Sequence, residues 1–209
     1  MATSKPLGRR ERNKRDKRDR ILGAARELFR AQGFAATTAQ QIADAADVGF
    51  GTLYLYARSK EDLLILVFKD EMDEVVEQAF ATVPDDAPLV EQVQHLFGRF
   101  LAYHKEDVPL ARALLKELAF IDSSERRADV TGLMLNIYGK LADLVMRAQR
   151  AGAVRADASP TGAARNFFAA YFQLLQTHLN DYIGDAQYRR MLRTSLDLMI
   201  DGLAARPRR

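Results

Sequence analysis

Apolar positions recur along almost the whole chain every three to four residues, the spacing that places them on one side of a helix. Ile21, Leu22, Ala25, Leu28 and Phe29 make the first stripe, and Gly33 closes it as a C-cap. Thr38 and Gln41 have the capping-box spacing that starts a second helix, whose inner face is Ile42, Ala43 and Ala46. Asp47, Val48 and Gly49 predict a tight turn, with Gly49 easing the backbone. A short third helix is expected from about Phe50 to Tyr56. Ser59 with Asp62 caps a fourth, which Leu63, Leu64, Val67, Met72 and Val76 carry to about Thr82.

Prolines at 84 and 88 then break the pattern. Further helices are expected from Leu89, over about 109–121, 124–151, 160–182 and 186–204. The segment 160–182 is apolar around much of its circumference, which suits burial on two sides. Alternating β-branched runs, the mark of strands, are missing. The expected fold is all-α, with an N-terminal three-helix helix-turn-helix domain joined by a linking helix to a larger C-terminal helical domain. The expected boundaries are a basic flexible arm at 1–14, the helix-turn-helix at 15–58, and the regulatory body at 59–209.

The longest unbroken aliphatic or aromatic run, Leu63 to Phe68, is far short of the roughly 20 residues a membrane span needs. With a charged N-terminus as well, the reading is a cytoplasmic protein with no membrane partner. The chain has no cysteine, so disulfides and thiolate metal sites are excluded. Three histidines and no HExxH, P-loop or dinucleotide-binding glycine pattern leave no metal site, cofactor or enzymatic chemistry to propose. The net charge of +3 hides an asymmetry: residues 1–20 hold nine Lys or Arg against three acids, so the remainder is slightly acidic. A basic segment on an acidic body is a nucleic-acid pattern or a solubilising tail.

Residues 37–63 decide between those readings. Two helices that cross closely need slim contact residues, which Ala43, Ala46 and Val48 supply. Leu53 anchors the third helix inward, leaving Thr52, Tyr54, Leu55 and Tyr56 toward the outside. Hydroxyls fix register on phosphates, so Thr37, Thr38, Thr52, Tyr54 and Tyr56 are candidate contacts, with Lys60 as a charged one. Phe50 and Leu55 suit thymine methyl groups, and Gly51 allows a close backbone approach. No Arg, Asn or Gln lies between 48 and 57, so specificity is expected to lean on apolar contacts, water and DNA shape.

The sequence here resembles the TetR/AcrR family of bacterial transcriptional regulators. The resemblance rests on Ile21-Leu22, Ala24-Ala25, Leu28-Phe29, Gly33-Phe34, Thr37-Thr38, Ile42-Ala43, Ala46, Val48, Gly51-Thr52-Leu53-Tyr54, Tyr56, Ser59-Lys60-Glu61 and Leu63, over about residues 15–65. Gly49 stands where a serine or similar cap is common, and Ala57 where an aromatic is usual. The resemblance implies a homodimer on a pseudo-palindromic operator, with helices like 160–182 and 186–204 forming the dimer interface. It also implies a small-molecule pocket in the body whose occupant releases DNA, usually relieving repression.

Candidate pocket residues are polar or aromatic groups set in apolar stripes: Phe97, Phe100, Tyr103, His104, Met134, Tyr138, Phe168, Tyr171, Phe172, Gln176 and His178. Their aromatic character suits an apolar effector, and core or dimer packing is the competing reading for each. Two other functions remain open at this stage. One is a helical small-molecule binding protein without DNA affinity, the other a non-specific architectural DNA binder.

Overall fold

The computed structural model describes residues 8–204. These form α1 (Arg9–Gln32), α2 (Ala39–Ala45), α3 (Phe50–Leu53), α4 (Lys60–Ala81), α5 (Leu89–Glu106), α6 (Val108–Ala119), α7 (Ser124–Arg150), α8 (Pro160–Leu179) and α9 (Asp185–Leu203). Among the described residues the only β feature is an isolated bridge between Val154 and Ala204. None of the described helices is long and apolar enough to cross a membrane.

The expected caps form. Gly33 takes φ 82° and its N–H donates to the Phe29 carbonyl, stopping α1. The Thr38 hydroxyl accepts from the Gln41 N–H while the Gln41 side chain accepts from the Thr38 N–H. Ser59 caps α4 by accepting from the Asp62 N–H.

Three local expectations are corrected. The left-handed residue of the turn is Asp47, at φ 50°, whereas Gly49 sits at φ −63°, a value open to any residue. A short Asp side chain tolerates that region, which is why no glycine is needed there. The third helix closes after Leu53, and residues 54–56 continue as turn, because Gly49 offers no side-chain cap and Gly51 lowers helix propensity. Finally, residues 9–14 are the first turns of α1, so the arm expected at 1–14 is helical from Arg9 onward. Residues 1–7 of that arm lie outside the described residues.

The small N-terminal core closes Ile21, Leu22, Ala25 and Phe29 of α1 over Ile42, Ala43 and Leu53. Helix α4 enters this core with Leu63 and continues into the body, where Leu64 to Phe68, Met72 and Val76 are also buried. Ion pairs strap α1 along α4: Arg18 grips Asp70 with two hydrogen bonds of 2.9 and 3.0 Å. Arg26 and Arg30 both reach Glu71 Oε1, at 2.8 and 3.0 Å.

In the body, α8 packs between α7 and α9, and α5 crosses them. The inward face of α8 contributes Phe167, Tyr171, Leu174, Leu175 and Leu179. Phe97 of α5 stacks on Tyr171 at 4.6 Å with planes 12° apart, and Phe100 meets the same ring edge-on at 5.9 Å. Because Phe97 is fully buried, Phe97→Ala leaves a cavity there. It should cost about 3–5 kcal/mol in urea unfolding, and a loss under 1 kcal/mol would contradict this packing.

Candidate nucleic-acid interface and ligand cleft

One end of the molecule presents the third helix and the start of α1 together. On α3 and the turn after it, Leu53 is fully buried, whereas Leu55 is 82% exposed and Phe50 and Tyr54 are each about two-fifths exposed. Phe50 and Tyr54 pack edge to face at 5.1 Å, so two aromatic rings form one rigid outward ridge. Leu55 stands beside these rings, so three apolar side chains share one outward patch. Gly51 is exposed, and a Cβ built there would meet nothing within 4 Å, so the fold does not demand a glycine.

Tyr56 is half-buried, and its hydroxyl donates to the Lys14 carbonyl at 3.3 Å. That bond docks the first turns of α1 beside the ridge. A groove between them is lined by Arg10, Glu11, Asn13, Lys14, Lys17, Leu55 and Tyr56. Arg10, Lys14 and Lys17 are therefore a second wall of the same groove, opposite Leu55 and Tyr56. Sequence reasoning counted these charges but placed them on a free arm. The signal that would have found them is the helical spacing of Arg10, Lys14 and Lys17, which continues the α1 stripe backward.

Two sequence-predicted contacts are turned inward. The Thr37 side chain is 1% exposed, and its hydroxyl donates to the Gly33 carbonyl at 2.8 Å, so it holds the loop after α1 and is not an outward group. Lys60 commits its ammonium to the carbonyls of Phe34 (2.8 Å) and Thr37 (2.9 Å), with Ala35 at 3.4 Å, and lies 4.4 Å over the Phe34 ring. Its role here is to gather the α1–α2 loop onto the start of α4. Thr38 is exposed but engaged in its capping box, and Thr52 is half-buried.

The body carries a cleft of about 280 Å³ between α4, α5 and α6, with Arg30 of α1 at its rim. Leu64, Val67, Phe68, Leu110, Ala111 and Leu114 make its apolar wall. Its polar groups are Tyr103, His104, Glu71, Glu106 and Asp107. The Tyr103 hydroxyl donates to Glu71 Oε2 at 2.7 Å, and burial, with the Glu71 charge second, pushes its pKa far above the usual phenol range. His104 is buried, its Nδ1 has no partner, and desolvation lowers its pKa to about 4, so it is neutral at pH 7.

Of the eleven residues proposed from sequence for a pocket, Tyr103 and His104 line this cleft. Phe97, Phe100 and Tyr171 pack on one another in the core instead. Tyr138, Phe168 and Phe172 form a half-buried aromatic row on α7 and α8, with Arg165 5.9 Å above the Tyr138 ring. Met134 is also half-buried on α7, and Gln176 is exposed. His178 bonds the Ile183 carbonyl at 3.0 Å and lies 3.1 Å from Asp185, tying α8 to α9. Aromaticity alone cannot separate core from cavity, since both want the same side chains. The cleft wall is mostly aliphatic and so carried no distinguishing mark.

Residues 21–67 match the family described as bacterial regulatory proteins, tetR family. The fatty acid metabolism regulator protein of Bacillus subtilis (strain 168) is 31% identical over 107 residues, covering 51% of this chain and 55% of that one. The transcriptional repressor KstR of Rhodococcus jostii (strain RHA1) is 30% identical over 110 residues, 53% of this chain and 51% of that one. The chain thus spans about half the length of the curated relatives it matches. Thermus thermophilus FadR, a TetR family transcriptional repressor solved with lauroyl-CoA, superposes with a TM-score of 0.72 at 26% identity, covering 91% of this chain and 97% of that one. FadR of Bacillus subtilis solved with stearoyl-CoA superposes at 0.67 with 22% identity, over 88% of this chain and 98% of that one, a likeness of fold.

Two outcomes follow from the geometry. Gly51→Ala should leave the folding stability unchanged or raise it by up to about 1 kcal/mol, read from urea unfolding, and weaken any binding to duplex DNA. A variant equal to wild type in DNA binding would show that no surface approaches this backbone. His104 has a folded pKa near 4 against an unfolded value of 6.5, so the unfolded chain takes up a proton that the folded chain refuses. Stability from this group is therefore lost as pH falls from about 6.5 toward 4. The fall in melting temperature between pH 7 and pH 5 should be smaller in His104→Leu than in wild type.

Proposed function

Since residues 21–67 match the tetR family of bacterial regulatory proteins, we propose that the chain is a sequence-specific transcriptional repressor released from its operator by a small-molecule effector with an apolar part. The observation that carries this reading is the ridge of Phe50, Tyr54 and Leu55 standing exposed beside the cations of α1. A pure ligand binder needs neither the cations nor the ridge, and sequence preference is what separates a repressor from an architectural binder. The ridge suits base edges and thymine methyl groups, and Lys14 and Lys17 suit the phosphates on either side. Gly51 and the hydroxyls of Thr38, Thr52 and Tyr54 complete the proposed contact set.

A single reading head covers one half-site, so this function calls for a homodimer whose heads sit about 34–36 Å apart. Helices α8 and α9 are the proposed interface. On α9, Met191 and Leu198 are exposed seven residues apart, on the same side of the helix. The proposed division is a head up to residue 58 and a regulatory body from Ser59, with α4 as the lever between them. The proposed effector site is the cleft under α4, α5 and α6. By likeness to the lauroyl-CoA complex of the Thermus thermophilus protein, its occupant is an acyl chain attached to a carrier. At about 280 Å³ the cleft is at the low end of ordinary ligand sites, so chains of medium length fit it best. Its relatives are regulators, and the proposed role includes no catalysis.

The test is a mobility-shift titration of the full chain on the DNA upstream of its own gene, against an unrelated duplex of equal length. A repressor should prefer the first by at least tenfold at 150 mM salt, and equal affinities would overturn sequence specificity. Lys14→Ala or Lys17→Ala should each reduce the salt slope by about one. Lys60→Ala should instead lower the melting temperature, because it leaves three carbonyls without their shared donor.

A further inference from the structure

The polar end of the cleft is built around one shared carboxylate. Glu71 of α4 accepts the Tyr103 hydroxyl on Oε2, while its Oε1 is held by Arg30 of α1, with Arg26 2.8 Å away but not aligned as a donor. Glu71 is 12% exposed, so these contacts are poorly screened. Arg30, Glu71 and Tyr103 all line the cleft. Occupancy of the cleft and the grip of α1 on α4 therefore meet at one side chain.

A tyrosine hydroxyl has a single proton to donate, and an ionised carboxylate only accepts. Tyr103 stays protonated at any physiological pH, because burial beside Glu71 disfavours the phenolate. Its hydrogen bond can go to Glu71 or to a ligand acceptor, not fully to both. The apolar wall of the same cleft is Leu64, Val67, Phe68, Leu110, Ala111 and Leu114, and the Phe68 ring lies 6.2 Å from the Tyr103 ring. His104, with an unpartnered Nδ1, sits there too. A ligand chain held against that wall shares the cleft with the Tyr103 hydroxyl.

Building on the acyl effector proposed above, we propose that Tyr103 recognises the carbonyl oxygen of an acyl ester or thioester and, in turning to it, releases Glu71. Tyr103 is then a specificity and positioning residue. It selects an acyl group over a plain alkyl chain, and its departure leaves Glu71 to the α1 arginines alone, altering how α4 sits between head and body. Allosteric coupling of this kind shifts affinity by roughly 5–150-fold.

The test compares two probes on the full chain: lauroyl-CoA and its S-dodecyl thioether analogue, which keeps chain length and carrier but lacks the carbonyl oxygen. Calorimetry reads binding, and fluorescence anisotropy on the operator reads release. Lauroyl-CoA should weaken operator binding at least fivefold at saturation, and the thioether less than twofold even when bound. Tyr103→Phe, checked for wild-type circular dichroism, should have a weakened operator affinity of its own that lauroyl-CoA changes less than twofold. Equal release by the two probes, or a full lauroyl-CoA response in Tyr103→Phe, overturns the carbonyl switch and leaves the acyl effector standing. If lauroyl-CoA neither binds nor releases the wild-type protein, the acyl reading fails and the Tyr103 assignment falls with it.

Discussion

Two adjacent acids on α4, Asp70 and Glu71, hold three arginines of α1, and the placement of the end that carries α3 depends on that strap. The head has a small core of its own, built from alanines, a few aliphatic side chains and Phe29. Such a core buries too little to fix its own orientation against a large body. The arginine–carboxylate pairs supply direction where apolar contact supplies only adhesion. Arg18 makes the bidentate contact with Asp70, the geometry in which guanidinium and carboxylate planes match best. The pairs are partly exposed, so their individual contributions to stability are modest and their value is geometric.

The strap explains why the start of α1 can serve as part of a binding face. Residues before Arg18 extend past the body without a core beneath them, yet Tyr56 catches them at the Lys14 carbonyl. A helix fixed at Arg18 and caught at Lys14 carries its cations at a set distance from Leu55. Fixed charges lose less entropy on meeting a phosphate than charges on a free tail would. Asp70 and Glu71 are spent on the α1 arginines, and Glu11 is the acid among the cations that line the groove beside Leu55.

Much of this architecture was legible in the sequence because it rests on local chemistry. Gly33, the Thr38–Gln41 pair, Ser59 and the proline-rich break each act within a few residues, so they announce helix ends directly. The third helix and its exposed Phe50, Tyr54 and Leu55 were legible for the same reason: Leu53 is the one residue of that segment that fits a core. What could not be read were contacts between distant segments. Thr37 and Lys60 look outward in a linear reading, and only the fold brings Phe34, Ala35 and Thr37 carbonyls around the Lys60 ammonium. The cleft was hidden likewise, because Leu64, Leu110 and Leu114 are indistinguishable from core leucines until α4 and α6 are placed side by side. Asp47 stood in for the expected glycine because a left-handed turn needs a small or polar side chain, not one residue type.

Lys60 has a mechanical consequence. By knotting three carbonyls of the α1–α2 loop to the first turn of α4, it removes the slack that a loop would otherwise provide at the joint. Loop and helix then behave as one stiff arm, with the cleft near its fulcrum and Leu55 out toward its tip. A displacement too small to notice at the fulcrum grows with the length of the arm. On the proposed reading, release of a duplex calls for no large rearrangement, only a lever that does not bend.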